Sequence, residues 1–234
     1  MRTVITPDRK AVVLAGDGTW TYASSPGSVL ERWKSLTVPP QVVELFRGAF
    51  ERLGFRIVDT GEAFTCLHRG DRVEFAAGLD PAAVDLTVEI YAYQADRLGA
   101  QLAGGDVDEL ERFRIVREML AGASAKFGAV DNPLSSRPSL RRLIRAKNLI
   151  HVYLTSPDPA QEPDSTFTII HVNRRSLLVP GLHGTPERVF RLRVADALEL
   201  QRVLAQGLKG GGVTKWLKIA KWYVAWRKKV QVRT

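Results

Sequence analysis

A strand pattern that occurs twice limits what this chain can fold into more than any other feature of its sequence. Residues 64–68 and 78–79 recur 103 positions later at 167–171 and 181–182, and Arg72 corresponds to Arg175, so that positions 64–82 contain six identities. Unrelated segments would share roughly one. Alternating apolar residues follow each Gly-Leu pair: Val84, Leu86, Val88 and Ile90 in the first copy, and Phe190, Leu192 and Val194 in the second. This repeated pattern indicates either a duplicated supersecondary unit or two β-meanders of similar composition.

The repeat organises the predicted secondary structure. A hairpin is expected at 11–23 because Asp17-Gly18 separates two β-forming runs. Helical periodicity predicts a helix over about 40–53 and others over 94–102, around 110–120 and over 196–207. Strands are expected at 55–59, 63–69, 72–77 and 84–91, and again near 149–155, 165–172, 176–180 and 188–195. The expected fold class is therefore α+β, with antiparallel sheet from two repeated strand cassettes and helices packed on one side.

Changes in composition divide the chain into five segments. The predicted segments are an N-terminal hairpin and connector (1–38), a first α+β cassette (39–128), a linker and basic turn (129–148), a second α+β cassette (149–208) and a basic amphipathic C-terminal tail (209–234). The tail contains eight Lys or Arg and no acid, which leaves about +1 of the net +9 for the rest of the chain. A partner attracted by charge is therefore expected to meet the tail.

Composition is typical of a soluble globular protein of a reducing compartment. Apolar residues make up 45% and charged residues 25% of the chain, and Cys66 is the single cysteine. The first 15 residues lack the pattern of a secretory signal, and no uncharged stretch is long enough to span a membrane. The sequence thus predicts a cytoplasmic protein, peripheral to a membrane if it meets one.

The residue patterns of common catalytic and metal sites are missing from the sequence. The four histidines, His68, His151, His171 and His183, show no i, i+4 helical spacing, and there is no nucleophile elbow or phosphate-binding loop. His68 and His171 occupy matched positions of the two copies, which favours a shared structural role. We therefore predict a protein that is not an enzyme and that needs no cofactor or metal.

Residues 42–102 resemble the sterol-carrier-protein family. The likeness rests on a helix with Phe46 and Phe50, a strand meander, and the strand 84–90 (Val-Asp-Leu-Thr-Val-Glu-Ile) that leads into a helix; residues 149–205 resemble a diverged second version. The family's next strand, flanked by glycine, is not evident after either helix. The resemblance implies a non-enzymatic protein that shelters an apolar ligand between sheet and helices. Its candidate lining residues, which solid core would explain equally well, are Phe46, Phe50, Phe64, Phe75, Phe167 and Phe190.

The tail is expected to form an amphipathic helix over 213–230. On a helical wheel of about 100° per residue, apolar residues occupy one half and lysines the other. The helix is expected either to rest on an anionic surface or to pack its aromatic face on the protein's own sheet, with 228–233 as a possible last strand. The residues assigned to a membrane or partner surface are Lys215, Trp216, Lys218, Lys221, Trp222, Trp226, Lys228 and Lys229.

Together these patterns favour a carrier or binding protein for a lipid-like ligand that docks through its C-terminal helix on an anionic membrane or an acidic protein partner. The alternative is an accessory subunit of a larger assembly with a filled core and no ligand. Nucleic acid is a less favoured partner, because the basic residues 141–147 and the tail are not accompanied by a nucleic-acid motif.

Overall fold

The computed structural model describes residues 2–5, 11–14, 16, 20–22, 27–120, 125–127, 148–172, 175–208 and 213–233. The predicted linker and basic turn lie, apart from residue 148, outside the described residues. A small antiparallel sheet is formed near the N-terminus by β1 (Arg2–Ile5), β2 (Ala11–Leu14) and β3 (Trp20–Tyr22). The predicted hairpin is confirmed by the pairing of β2 with β3, and β1 adds a strand that the sequence did not predict.

Each of the two cassettes folds into four strands followed by a helix. The first has β4 (Arg52–Ile57), β5 (Ala63–Arg69), β6 (Arg72–Ala77), β7 (Leu86–Ile90) and helix α3 (Ala92–Ala103). After the intervening strand β8 (Ala125–Phe127), the second has β9 (Leu149–Leu154), β10 (Ser165–Val172), β11 (Arg175–Pro180), β12 (Arg188–Leu192) and helix α5 (Val194–Leu208). The strand orders, β7-β4-β5-β6 and β12-β9-β10-β11, are the same. We call these units the first and second repeat.

The two repeats also share their strand register. Phe64 pairs with Ala77 and Phe167 pairs with Pro180, so both partners are shifted by the 103 positions seen in the sequence. Thr65 Oγ1 donates to the Gly78 carbonyl oxygen at 2.9 Å, and Thr168 Oγ1 donates to that of Gly181 at 2.8 Å. Both glycines have a positive φ, 88° and 80°, which explains their recurrence. The predicted duplication is therefore present in the fold.

Both repeats contain a parallel strand pair that the sequence did not predict. β4 lies parallel to β7, and β9 lies parallel to β12, because the chain crosses the sheet between the third and fourth strands. In the first repeat Leu79 of the crossing loop covers Gly54, where an added Cβ would lie 2.2 Å from Leu79 Cδ1. In the second repeat the matching strand position holds His151, whose Nε2 donates to the His183 carbonyl oxygen of the loop at 3.0 Å.

A short strand follows the helices of each repeat; the one after the first repeat was not predicted, and the one after the second falls within the possible last strand predicted at 228–233. β8 pairs with β7, and β13 (Gln231–Arg233) pairs with β12. β8 also pairs with β11, so the repeats form one ten-stranded sheet in the order β13-β12-β9-β10-β11-β8-β7-β4-β5-β6. The tail therefore contributes a strand to the sheet of the second repeat.

Helices cover one face of this sheet, as predicted. They are α1 (Val29–Lys34), α2 (Pro40–Phe46), α3, α4 (Glu109–Leu120), α5 and α6 (Val213–Lys229). On β4 the residues toward the helices, Leu53, Phe55 and Ile57, are buried, whereas Arg52 and Arg56 on the other face are exposed. Buried residues of both repeats belong to one continuous core. The α+β class with two strand cassettes is confirmed.

Two local predictions before β4 were wrong. The helix expected over about 40–53 ends at Phe46, because the chain turns at Gly48, where φ is 72°, and Arg52 already begins β4. Residues 29–34, for which the sequence predicted no helix, form helix α1. This helix belongs to the core of the first repeat, since Val29 and Trp33 are buried.

Helix α1 is held at its start by a carboxylate from the turn that precedes β5. Glu62 accepts hydrogen bonds from Ser28 Oγ at 2.6 Å, from the Val29 backbone N–H at 3.0 Å and from the Leu30 backbone N–H at 3.1 Å. Burial raises the pKa of Glu62, but these hydrogen bonds outweigh that effect and hold the pKa below its ordinary value. The ionised carboxylate thus satisfies the free N–H groups of the helix start.

We expect Glu62→Ala to lower the free energy of unfolding at pH 7 by about 1–3 kcal/mol, because it leaves buried donors without an acceptor. Since the folded-state pKa is depressed, the stabilisation is present above the ordinary pKa and is lost as pH falls through the folded value. Urea unfolding from pH 7 to pH 3 checks both statements. Glu31→Gln, an exposed acid on the same helix, is the control. If Glu62→Ala lowered the free energy of unfolding as much at pH 3 as at pH 7, the role of the ionised carboxylate at the start of α1 would be contradicted.

Candidate functional site

An apolar cavity lies between the sheet and the helices of the first repeat. Its volume is about 30 Å³, and its walls carry no polar surface. Helices α1, α2, α3 and α4 provide one side and strands β4, β5 and β6 the other. The lining residues are Trp33, Val38, Val42, Phe46, Leu53, Phe55, Cys66, Val73, Phe75, Leu98, Leu102 and Met119.

Phe46 and Phe75 are the members of the predicted ligand-binding set that line this cavity. Phe64 lies behind the wall and is fully buried, and Phe50 packs against Phe46 with ring centroids 6.3 Å apart. The remaining two, Phe167 and Phe190, belong to the core of the second repeat. The structure therefore does not bring the six phenylalanines together in one site.

Trp33 is the main cavity residue that sequence reasoning missed. Its ring lies at the centre of an aromatic cluster, with centroids 5.0 Å from Phe55, 5.3 Å from Phe64 and 5.2 Å from Phe75. Its Nε1 donates to the Ala95 carbonyl oxygen at 3.2 Å, which fixes the indole against α3. The available signal was the short apolar run of Val29, Leu30 and Trp33, whose spacing fits one face of a helix.

Cys66 lies in the cavity wall on β5. Burial raises the pKa of its thiol to about 12. The thiol is therefore almost entirely protonated near neutral pH, and its role in the wall is that of a small apolar side chain.

Helix α6 packs on the second repeat through its aromatic residues. Trp226 is 3% exposed and lies 6.1 Å from Phe190 between ring centroids. Trp222 and Tyr223 stack beside Trp226, and Trp222 Nε1 donates to Glu199 Oε1 of α5 at 3.3 Å. Two tryptophans assigned to a membrane or partner surface, Trp222 and Trp226, thus face the body of the protein, because the sheet beneath them supplies apolar partners.

The opposite side of α6 remains uncovered. Leu217 is 64% and Val224 is 56% exposed, more than any other large apolar residue in the described part of the chain. Ala220 lies between them, and Lys218, Lys221 and Arg227 are exposed around them. We call Leu217, Ala220, Val224, Lys218 and Lys221 the outer face of α6. The side chains of Lys215, Trp216, Lys228 and Lys229 lie outside the described residues.

The described polar side chains do not form a cluster of metal ligands. No group of His, Cys, Asp and Glu suited to a metal ion occurs among the described residues. His68 Nε2 lies 3.0 Å from the Val43 carbonyl oxygen, and His183 Nε2 lies 2.7 Å from that of Pro180. Like His151, these histidines hold backbone segments together.

Comparison with known protein families, with curated proteins and with solved structures gives no match. Of the helices in the described ranges, none has the length and apolar composition needed to cross a bilayer.

Proposed function

We propose that this protein is a non-enzymatic binding module that docks on an anionic membrane through the outer face of α6 and accepts a lipid-like ligand. The observation that carries the proposal is the joint exposure of Leu217 and Val224 beside lysines on a helix whose other side is packed. An amphipathic helix of this kind lies in the plane of a membrane surface. The absence of any acidic residue from 209–234 supports an anionic partner.

The electrostatic and hydrophobic contributions to the binding free energy are sufficient for reversible docking. Each lysine near an anionic surface contributes on the order of 1 kcal/mol at moderate salt. Burial of an exposed leucine or valine side chain adds roughly 1.5–3 kcal/mol. Lys218, Lys221, Leu217 and Val224 together reach the range that offsets the loss of free movement on binding.

The support for a lipid-like ligand comes from the apolar cavity and from the layout of each repeat. A strand meander, helices and a final strand follow one another in both halves, an order in keeping with the sterol-carrier-like resemblance. A volume of about 30 Å³ is enough for one or two water-sized groups only. A ligand tail therefore enters only when a wall of the cavity moves.

The same small volume also favours the alternative, an accessory subunit with a filled core that meets an acidic protein through α6. This second candidate shares the docking face but needs no ligand. The two candidate functions differ in what the outer face of α6 binds: an anionic membrane in the first and an acidic protein in the second.

Flotation with vesicles tests the proposal. We expect the full chain to float with phosphatidylserine-containing vesicles at low salt and to remain in solution with neutral phosphatidylcholine vesicles. Leu217→Ser/Val224→Ser and Lys218→Gln/Lys221→Gln should each weaken binding at least tenfold. The matched controls are Leu182→Ser, which removes another exposed apolar side chain, and Lys34→Gln, which removes a lysine from α1.

If the intact protein stays in solution with anionic vesicles at low salt, the docking proposal is wrong, and the accessory-subunit candidate is favoured. If the controls weaken binding as much as the outer-face variants, binding is a general charge effect and the assignment to α6 is wrong. All four variants change exposed side chains, so their melting temperatures should stay close to that of the parent chain.

A further inference from the structure

The two edges of the ten-stranded sheet, β6 and β13, each leave one side of a strand open in the described part of the chain. Among the described residues β6 pairs only with β5, and β13 pairs only with β12. Just beyond β6, the Gly78 N–H donates to the Ala63 carbonyl oxygen at 2.9 Å, so the alternation of an antiparallel ladder turns the backbone groups of Val73 and Phe75 away from β5. An edge that presents free N–H and C=O groups is a template for another strand.

The chain already contains one pairing of this kind, at the junction of its two repeats. β8, the short strand after the helices of the first repeat, pairs with β11, the third strand of the second repeat. In this register Lys126 lies opposite Leu177, and Ala125 lies opposite Leu178. The last strand of one repeat therefore fits the edge of the third strand of the next repeat.

The open edge of β6 is the counterpart of the edge of β11 that β8 covers. Both are the third strand of their repeat, and the shift of 103 positions matches Glu74 with Leu177. Within its own hairpin Glu74 pairs with Arg72 and Arg69, and its side chain remains 39% exposed. The first repeat thus presents the same edge as the second, with an accessible carboxylate in place of the leucine.

The open edge of β13 is the counterpart of the edge of β8 that meets β11. Thr87 on β7 and Val189 on β12 occupy the same position of the two repeats in the parallel strand pairs. Lys126 lies opposite Thr87, and Arg233 lies opposite Val189. β13 therefore follows the second repeat in the register in which β8 follows the first.

We propose that β13 of one molecule pairs with β6 of a second copy, so that the sheet continues from molecule to molecule. The register of the internal junction would place Arg233 opposite Glu74, and Val232 opposite Phe75. Opposite charges and two apolar residues then form cross-strand pairs, which stabilise a sheet. Because the two edges differ, the contact is head-to-tail and either closes into a ring or extends as a filament. It concerns the edges of the sheet and does not depend on the docking of α6.

Disulfide trapping between two variants of the full chain tests the contact. The backbone groups of Glu74 point toward β5, so Glu74 and Arg233 would form a non-hydrogen-bonded pair with Cα atoms about 4.5 Å apart, which a disulfide can span. Glu74→Cys and Arg233→Cys proteins are mixed under mild oxidation. Arg72→Cys replaces Glu74→Cys in the control mixture, because Arg72 is 72% exposed on the same face of β6 but two residues away from the pairing. Cys66 is common to all variants, and its raised pKa makes it a poor competitor.

We expect the mixture of Glu74→Cys and Arg233→Cys to form a cross-linked dimer, with one copy of each variant, at least tenfold faster than the control mixture. Equal rates in the two mixtures would overturn the proposed register. Cross-linking of Glu74→Cys to itself as fast as to Arg233→Cys would also overturn the proposal, because two β6 edges would then meet each other.

An exchange of charges tests the same contact without added cysteines. In sedimentation velocity at increasing protein concentration we expect the parent chain to self-associate, and Glu74→Arg and Arg233→Glu each to weaken the association at least tenfold. The double variant should recover most of it, since every contact again joins opposite charges. Lys34→Glu, which makes the same change of charge as Arg233→Glu on exposed α1, should have no effect. A parent chain that stays monomeric at every concentration, or a double variant as weak as the single ones, would overturn the proposal.

Discussion

Replacement of Phe64 by alanine is expected to lower the free energy of unfolding by about 3–5 kcal/mol, the usual cost of deleting a buried phenyl ring. Phe64 is fully buried on β5, and its ring lies 5.3 Å from Trp33 and 5.4 Å from Phe55 between centroids. The space left by the ring would adjoin the existing apolar cavity. The surrounding side chains could therefore fill little of it, which places the loss in the upper part of this range. Equilibrium unfolding in urea measures the loss.

Phe50→Ala is the control for this prediction. Phe50 is also aromatic and belongs to the same repeat, but it is only partly buried. We expect it to cost clearly less than Phe64→Ala. A loss below about 1 kcal/mol for Phe64→Ala would show that the aromatic cluster does not form the core of the first repeat.

The thiol of Cys66 is expected to react with a disulfide reagent at least 100-fold more slowly in the folded protein than in the urea-unfolded chain. Only the thiolate reacts, and burial raises the pKa from 9.0 to about 12. The folded-state rate should therefore keep rising with pH between 8 and 10, where the unfolded chain approaches its plateau. Stopped-flow absorbance with a chromogenic disulfide reagent measures the reaction rate against pH for the folded and the unfolded chain.

A folded-state rate that levels off near pH 9 would contradict the raised pKa of the Cys66 thiol. The same assay reports on ligand entry, because an occupant of the cavity should slow the reaction further. The chain supplies its own control, since Cys66 is its single cysteine.

The strands of the two cassettes could be predicted from the sequence with good accuracy. β5, β6 and β10 begin and end where apolar alternation and turn residues indicate, because one face of each strand is buried and the period is two. The parallel pairing of β4 with β7 could not be predicted, since strand order depends on the path of the crossing loop. The helix that begins at Pro40 was predicted too long because Ala49 and Phe50 continue its apolar spacing beyond Gly48.

The candidate sites were less predictable, because they depend on which part of an apolar surface is covered. On the helical wheel Trp226 and Val224 lie near opposite edges of one apolar arc about 180° wide. The sheet covers the edge with Trp226 and leaves the edge with Val224 exposed beside Lys221. Sequence alone shows the arc but not the rotation of the helix. The burial of Arg188 was not predicted, although the alternation of Phe190 and Leu192 places residue 188 on the same side of the strand.

The proposed docking requires the outer face of α6 to enter an anionic membrane while the aromatic face stays packed. The most direct measurement attaches an environment-sensitive nitrobenzoxadiazole dye to Val224→Cys at neutral pH, where the half-buried Cys66 is almost entirely protonated because its pKa is raised. A dye on Thr60→Cys, in the exposed turn after β4, is the reference. We predict that anionic vesicles brighten and blue-shift the dye at position 224 only, and that neutral vesicles change neither. An unchanged spectrum at position 224 with anionic vesicles, or an equal change at position 60, would contradict the claim.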